Sequence, residues 1–498
     1  MTEIKVDTAR IVGKISPLIY GHFWEHFHRC IYGGIYDEGA RFSDSRGFRQ
    51  DVVNALKKIH TPIIRWPGGN FASSYHWQDG VGPKEKRPVR FDPNWRVDEP
   101  NRFGTDEFIQ CCRDIGAEPN IVVNMGDGTA TEAASWVEYC NRKGQSYYAS
   151  LREKNGYLAP YEVRYWGLGN EVGWPHQVGA KRNVEDYIDD VIDFARVMRT
   201  GTVYQYPGQE IRLIACGLGL FQGSRGINWD HELLMGAGNV FDYISVHDYF
   251  HGGFSGPKRS YEDVLRHLVY VEREIKGLAG QIDAAMLVLE KKEPIKIAFD
   301  EWNPLAWAID FSRRDDNDRN EDITLVEAIY TACILNMCQR MCRSIGMANF
   351  SPTVNVKGLI YVDPDGIVLR PTYHVYSLYT NHTGELAVDM FVKSDKAGVP
   401  VIDVSGSLDT SGNRLSIAAV NKHPEESVRV RVTLVGFQPK KDGVAWQING
   451  KTLLDYNDSS YPNRIVVESL PLDNLSIEFN YTFPAHSITV LELIKKTV

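Results

Sequence analysis

Two glutamates, Glu171 and Glu301, each follow a short apolar run that is typical of a buried strand. If both strands belong to one parallel barrel, their carboxyl ends meet at the same rim, and the two carboxylates can face each other across it. Such a pair suits glycoside hydrolysis: one carboxyl donates a proton to the leaving oxygen, and the other, ionised, attacks the sugar or activates water. Taken alone, each glutamate is also consistent with a salt bridge across the barrel mouth.

Other polar side chains stand where further predicted strands end: Glu25, Asn70, Asn124, Asn170, His247, Tyr249, Asp300 and Asn349. Six tryptophans lie near the same strand ends: Trp24, Trp66, Trp166, Trp174, Trp302 and Trp307. Polar groups that converge on one rim are costly unless a polar ligand binds there. Sugars use amide and carboxylate partners for their hydroxyls and aromatic rings for their C–H faces. The rim therefore favours a carbohydrate site, although each tryptophan alone is consistent with helix packing.

The first 380 residues alternate short apolar runs with amphipathic segments. We predict strands at 18–25, 62–66, 120–125, 163–170, 211–217, 242–249, 295–301 and 344–350. Helical periodicity predicts helices at 48–60, 105–116, 130–143, 184–200, 261–277 and 322–343, with a weaker one around Glu232. Eight strands with helical crossovers pair in parallel and close a (β/α)8 barrel. The alternative, an open doubly wound sheet, lacks its G-x-G-x-x-G signature.

The last part of the chain has a different pattern, which begins near residue 385. Apolar and polar residues alternate strictly in Val428-Arg-Val-Arg-Val-Thr-Leu-Val and in much of Ser487-Ile-Thr-Val-Leu-Glu-Leu. Period-2 runs separated by turn residues predict an antiparallel, jelly-roll-like β-sandwich. We predict a (β/α)8 catalytic barrel at 16–380. The sandwich is predicted at 1–15 plus 381–498, because Ile4-Lys-Val is typical of a strand that joins it.

Composition and charge exclude several functional classes. The chain has 64 acidic and 55 basic residues, a net charge of −9 and a pI of about 5.9, which argues against binding of nucleic acid or anionic lipid. We find no apolar run of about 18 residues, so we expect no membrane contact. The N-terminus does not resemble a signal peptide. Eight cysteines without C-x-x-C spacing predict reduced, buried thiols and a cytoplasmic protein.

Four sequence blocks are more specific than the carboxylates alone: Gly21-His-Phe-Trp-Glu-His, Ile64-Arg-Trp-Pro-Gly-Gly-Asn-Phe, Leu168-Gly-Asn-Glu and Phe299-Asp-Glu-Trp-Asn. In this order and spacing they resemble glycoside hydrolase family 51, the α-L-arabinofuranosidase family of the large retaining (β/α)8 clan. The resemblance covers residues 10–385, and the β-sandwich tail of that family agrees with the C-terminal pattern.

The resemblance implies a role for each site residue. Glu171 is expected to be the acid/base and Glu301 the nucleophile. Arg65 and Tyr249 are expected to contact the nucleophile, and Asn170 to bind the 2-hydroxyl of the sugar. The remaining expected substrate-binding residues are Glu25, Asn70 and Trp302.

The resemblance also implies the reaction and the assembly. We expect exo-acting, retaining hydrolysis of terminal α-L-arabinofuranosyl groups from arabinoxylan or arabinan oligosaccharides. No cofactor and no metal are expected. The family resemblance further suggests a homo-oligomer, often a hexamer.

One position departs from the family pattern. Many members carry a Gln two residues before the Val354-Asn355 pair, where it touches the bound arabinose, but this chain has Pro352. Proline has no side-chain donor, so this contact is missing or another group supplies it. A β-xylosidase or an endo-β-glucanase of the same family therefore stays an alternative.

Two further alternatives are another kind of enzyme and a protein without catalytic activity. A metal hydrolase would use ligands from the set His22, His26, His28, His247 and Asp248. A non-catalytic carbohydrate-binding protein would use the sandwich as a lectin-like module, but the presence of both glutamates in the expected motifs argues against it.

Overall fold

The structure is a computed structural model that describes residues 2–181, 183–203, 210–219, 223–250, 260–306, 318–393 and 401–496. Within these residues the strands are β1 (Thr2–Lys14), β2 (Gly21–Phe23), β3 (Ile63–Trp66), β4 (Arg90–Asp92), β5 (Val97–Glu99), β6 (Glu118–Val123), β7 (Tyr165–Leu168), β8 (Arg212–Cys216), β9 (Tyr243–Tyr249), β10 (Lys296–Asn303), β11 (Ile345–Phe350), β12 (Ile360–Asp363), β13 (Gly366–Leu369), β14 (Leu386–Lys393), β15 (Ile402–Leu408), β16 (Arg414–Asn421), β17 (Val428–Val435), β18 (Pro439–Ile448), β19 (Glu468–Leu472), β20 (Glu478–Phe483) and β21 (Ile488–Lys495). The α-helices of the described residues are α1 (Gln50–Lys58), α2 (Thr105–Ile115), α3 (Ala130–Asn141), α4 (Tyr147–Lys154), α5 (Val184–Val203), α6 (Ser224–Ala237), α7 (Tyr261–Ala285), α8 (Leu325–Arg340) and α9 (Pro371–His382).

Eight strands of the described chain close into a parallel barrel in the order β2-β3-β6-β7-β8-β9-β10-β11. Each corresponds to one predicted strand, so the predicted barrel is confirmed. The first strand is shorter than predicted because Pro17–Tyr20 forms a 3₁₀ helix, capped by Ser16, which leaves only Gly21–Phe23 to pair. Proline at the first helical position favours this turn. All eight carboxyl ends share one rim.

The predicted helical segments correspond to α1, α2, α3, α5, α6, α7 and α8. Two α-helices of the described residues, α4 and α9, were not predicted. The α4 helix has only eight residues, and α9 is buried on most of its surface, including Tyr373, Val375 and Tyr379. A helix that is buried nearly all round lacks the amphipathic period by which helices are recognised.

The second sheet has nine strands in the order β19-β18-β21-β16-β15-β14-β1-β17-β20. The fold is therefore a (β/α)8 barrel with a C-terminal, mostly antiparallel β-sandwich. The β1 strand runs parallel to β17, a feature that residue alternation cannot reveal. The core of the sandwich includes the fully buried Ile4, Ile417, Val432 and Leu491. The domain boundaries near residues 15 and 380 stay a prediction.

The sequence predicted reduced, buried cysteines and no membrane contact. All eight cysteines are buried and unpaired, and burial raises the pKa of the Cys30 and Cys216 thiols to about 12. Among the described residues, no helix has the length and apolar character needed to cross a membrane.

Candidate active site

The carboxyl ends of β7 and β10 bring Glu171 and Glu301 together. The nearest atoms of their carboxylates lie within 4.8 Å of each other. Glu171 follows β7 through a turn at Gly169 and has a φ of 44°, in the left-handed region that residues other than glycine rarely adopt. Backbone strain of this kind concentrates at functional sites. The two glutamates predicted on one rim are therefore close enough to act on a single bond.

Arg65, in β3, is a buried cation at this rim. Its Nη1 donates to Glu301 Oε1 at 2.6 Å and its Nη2 donates to Asn170 Oδ1 at 2.9 Å, while its Nε lies 3.2 Å from Asp300 Oδ2. Burial lowers the pKa of Arg65, but the charges of Asp300 and Glu301 bring it above its ordinary value. Asn170 in turn donates through Nδ2 to Asn70 Oδ1 at 3.3 Å.

Tyr249, the last residue of β9, contacts the other oxygen of Glu301. Its hydroxyl donates to Glu301 Oε2 at 2.9 Å and lies 2.7 Å from Ser351 Oγ. Burial and then the charge of Glu301 raise the pKa of Tyr249 well above its ordinary value, so the phenol keeps its proton. Both oxygens of Glu301 therefore accept hydrogen bonds. Ser351, just before Pro352, was not predicted at the site.

His247, two residues before Tyr249, lies between the two glutamates. Its Nδ1 is 3.0 Å from Glu171 Oε1 and 3.5 Å from Glu301 Oε2, and its Nε2 is 3.4 Å from Asp300 Oδ1. Burial lowers the pKa of His247, but Glu301, Asp300 and Glu171 together raise it to about 10. The imidazole is therefore charged at neutral pH. The sequence predicted His247 at the rim and as a candidate metal ligand, but not its contact with both glutamates.

Glu171 accepts a hydrogen bond on each oxygen. Oε1 faces His247 Nδ1, and Oε2 accepts from Gln177 Nε2 at 3.0 Å. Burial raises the pKa of Glu171, but His247, His176 and Gln177 bring it below its ordinary value. Gln177 also donates to Asn70 Oδ1 at 2.5 Å. Gln177 was not predicted as a site residue, because only the folded loop brings it back to Glu171.

Glu25 is buried at the same rim and lacks a directly bound cation among the described residues. Its Oε1 accepts from Phe71 N and from Trp95 Nε1, each at 2.9 Å. Burial and then the charge of Glu301 raise the pKa of Glu25 to about 8. Glu25 is therefore mostly a neutral acid at neutral pH. Trp95, which lies in the loop between β4 and β5, was not predicted at the site.

Most of the predicted aromatic residues are packed inside the protein. Trp302 is fully buried, stacks on Phe299 at 5.8 Å between ring centroids and meets Phe350 edge-on at 5.1 Å. Three others are equally buried: Trp24, Trp66 and Trp166. These contacts agree with helix and barrel packing, and a substrate contact of Trp302 stays a prediction. Trp307 lies outside the described residues.

The histidines proposed as metal ligands do not come together. Within the described ranges, the donor atoms that could surround a cation belong to Glu171, His247 and Glu301, so of the five proposed ligands only His247 takes part. His26 instead bonds Glu99 through Nδ1 and accepts from Trp66 Nε1, both at 2.9 Å.

Comparison with known proteins identifies the family. A model described as "Alpha-L-arabinofuranosidase 1 domain" matches residues 55–232, and one described as "Alpha-L-arabinofuranosidase C-terminal domain" matches residues 300–487. A probable α-L-arabinofuranosidase C of Aspergillus niger is 35% identical over 98% of this chain and 96% of its own length. The chain belongs to glycoside hydrolase family 51, the α-L-arabinofuranosidases. This family 51 enzyme is a glycoside hydrolase that acts on oligosaccharides.

Two further relatives resemble the family 51 enzyme over most of its length. The structure of the thermostable GH51 α-L-arabinofuranosidase from Thermotoga petrophila superposes with a TM-score of 0.88 at 37% identity, covering 99% of this chain and 100% of that one. An intracellular exo-α-(1→5)-L-arabinofuranosidase of Halalkalibacterium halodurans is 31% identical over 87% of each chain.

The charge of His247 predicts a pH-dependent contribution to the stability of the family 51 enzyme. Its pKa of about 10 in the folded enzyme exceeds the value of about 6.5 expected in the unfolded chain. The stabilisation is therefore complete below about pH 6.5 and is lost as the pH rises through about 10. We expect His247→Gln to lower the Tm more at pH 6 than at pH 10. Thermal unfolding across this range checks this, with the exposed His231→Gln as the control; an equal Tm difference at both pH values would contradict it.

Proposed function

We propose that this enzyme releases terminal α-L-arabinofuranosyl groups from arabinoxylan or arabinan oligosaccharides with retained configuration. The approach of Glu171 and Glu301 within 4.8 Å carries the proposal. Carboxyl groups about 5 Å apart suit double displacement, whereas inverting enzymes separate theirs by roughly 6.5–9.5 Å to admit a water molecule. The different surroundings of the two glutamates support different roles.

Glu301 is the nucleophile. Arg65 and Tyr249 donate to its two oxygens and hold it in place. One oxygen attacks the anomeric carbon while the bond to the leaving oxygen breaks, and the carboxylate loses its charge in the resulting ester.

Glu171 is the acid/base, and it shares one proton with His247. In the resting enzyme, His247 Nδ1 carries that proton and donates a hydrogen bond to Glu171 Oε1, 3.0 Å away. The charge of Glu301 is the largest contribution that raises the pKa of His247. As the ester forms, the charge of Glu301 disappears. The proton then moves from His247 to Glu171 and from Glu171 to the leaving oxygen. Glu171 is then ionised and accepts the proton of the water that cleaves the ester.

Asn170, Asn70 and Glu25 bind the hydroxyls of the terminal sugar, with Asn170 at the 2-hydroxyl. Glu25 Oε1 is occupied by Phe71 N and Trp95 Nε1, so Oε2 of the neutral acid carries the proton and donates to the sugar. Trp302 is the proposed aromatic component of the substrate site.

Substrate preference rests on the relatives. The Halalkalibacterium halodurans relative carries the name of an exo-α-(1→5)-L-arabinofuranosidase, and neither the xylosidase nor the endo-glucanase alternative has comparable support. Pro352 stands where many family members carry a Gln. The neighbouring Ser351, whose Oγ contacts Tyr249, supplies a polar group near the position of that glutamine amide. We also propose a cytoplasmic homo-oligomer, in line with the family resemblance and the intracellular relative.

The protonation state of Glu25 predicts a pH dependence of substrate binding. As the pH rises through about 8, Glu25 ionises, loses its donor and adds a charge near Glu301. We expect the KM of the wild type for an aryl arabinofuranoside to rise above pH 8. The KM of Glu25→Gln, which keeps a donor and has no charge, stays flat. Initial rates from pH 6 to 9.5 measure this; equal rises in both proteins would contradict the assignment.

Removal of metal ions distinguishes the metal-hydrolase alternative. Because Arg65, Tyr249 and Gln177 already donate to the oxygens of the two glutamates, a cation is not required there. We expect kcat/KM to be unchanged after dialysis against a chelator. A loss of activity that Zn²⁺ or Mn²⁺ restores would contradict this.

Replacement of the two glutamates tests their roles. We expect Glu301→Ala to abolish turnover of every glycoside. Glu171→Ala should lose about 10²–10⁴-fold in kcat on unactivated oligosaccharides, but still react with activated aryl arabinofuranosides, whose leaving group needs no proton. Azide should restore part of its turnover of the aryl substrate, because it replaces water without requiring a base. Aryl xyloside and soluble β-glucan are the substrate controls.

Full activity of Glu171→Ala on unactivated oligosaccharides would show that another group is the acid. Comparable turnover of the aryl xyloside or the β-glucan by the wild type would overturn the proposed sugar.

A further inference from the structure

Three amide side chains connect the environments of the two glutamates. Asn170 accepts from Arg65, Asn170 donates to Asn70 at 3.3 Å, and Gln177 donates both to Asn70 at 2.5 Å and to Glu171 at 3.0 Å. Arg65 itself donates to Glu301 at 2.6 Å. We call Asn170, Asn70 and Gln177 the amide chain.

The amide chain has only one consistent direction. Arg65 has donors and no acceptor, so the atom of Asn170 that faces it must be Oδ1. The Nδ2 of Asn170 then donates, and the atom of Asn70 that receives it is Oδ1. Because Asn70 presents an acceptor, the atom of Gln177 that faces it must be Nε2. Each amide orientation therefore follows from the fixed donor geometry of Arg65.

The last member of the amide chain places an N–H group at Glu171 Oε2. Gln177 is 6% exposed, so it cannot readily exchange this partner for water. An oxygen that accepts a hydrogen bond from an N–H group cannot also point an O–H at that group, because the two hydrogen atoms would clash. A proton on Glu171 is accordingly excluded from the side of Oε2 that faces Gln177.

We propose that Gln177 is a positioning residue that reserves Oε2 of Glu171 as an acceptor and confines the exchangeable proton to Oε1. Oε1 is the oxygen that lies 3.0 Å from His247 Nδ1. Proton uptake and release thus occur at one oxygen, beside the histidine. This inference rests on the proposed role of Glu171 as acid/base.

The amide chain also assigns the binding direction of Asn70. Its Oδ1 already accepts from Asn170 and Gln177, which leaves Nδ2 to donate to a sugar hydroxyl. A change at Gln177 therefore affects both the acid/base and, through Asn70, the bound sugar. Its effect on the acid/base is distinguished by the pH profile and by the dependence of the rate on the leaving group.

The test replaces Gln177 with residues that cannot donate. Gln177→Leu and the more flexible Gln177→Met remove the N–H group at Oε2, which destabilises the ionised form of Glu171. We expect the alkaline limb of kcat/KM to move upward by about one pH unit. We expect kcat on an oligosaccharide with a poor leaving group to fall about tenfold, because the proton is no longer confined to one oxygen, while kcat on an activated aryl arabinofuranoside falls less than about threefold.

Gln78→Leu is the matched control, because Gln78 also donates an amide hydrogen bond, to Tyr148 at 3.0 Å, but at the exposed surface. Thermal unfolding establishes that each variant is folded. In folded variants, two results together would overturn the role of Gln177: an alkaline limb of kcat/KM at the wild-type pH, and a wild-type ratio of kcat between the aryl arabinofuranoside and the oligosaccharide. Glu171→Ala is assayed in parallel: if it keeps full activity on the oligosaccharide, the proposed function fails, whereas an inactive Glu171→Ala beside an unaltered Gln177→Leu overturns only this inference.

Discussion

The site depends on one buried cation, the Arg65 guanidinium. It holds Glu301 at 2.6 Å and Asp300 at 3.2 Å, in a region where uncompensated charge is very costly. The protonation states of the neighbouring His247 and Glu25 depend on these carboxylates. His247 becomes a second cation because Glu301, Asp300 and Glu171 surround it. Glu25, which lacks such a direct partner among the described residues, is left mostly neutral. One arrangement of charges thus combines the ion pairs of Arg65, a protonated histidine and a mostly neutral carboxylic acid.

The barrel makes this arrangement rigid. Arg65 comes from β3, Tyr249 from β9 and Glu301 from β10, and Glu171 follows the end of β7. These strands are parallel neighbours or near neighbours in a closed ring, so their carboxyl ends cannot move apart without breaking the barrel. Groups fixed in this way need little reorganisation during the reaction, which is a main source of catalytic power. The strained backbone of Glu171 is tolerated because hydrogen bonds hold both of its carboxylate oxygens.

Strand ends could be predicted from the sequence because apolar runs bounded by polar residues have a simple physical cause. This logic placed Glu171, Glu301, Asn70 and Tyr249 on one rim, whereas Arg65 was expected there only from the family resemblance. It could not reveal Gln177, which returns to the site through an irregular loop, or Trp95, which reaches Glu25 from the loop between β4 and β5. Nor could it distinguish aromatic residues at strand ends from those in the core, since Trp66 and Trp166 follow the same pattern and are fully buried. For His247, residue type suggested a metal ligand, but only its distances to three carboxylates define its charge.

Covalent capture of the nucleophile tests the account most directly. The enzyme would be incubated with an activated arabinofuranoside that carries fluorine at carbon 2, which slows hydrolysis of the ester, and then digested and mapped by mass spectrometry. The account predicts one added fluoroarabinosyl group, located on Glu301. A sugar attached to a different side chain, or complete turnover by single displacement with release of the inverted anomer and no adduct, would contradict it.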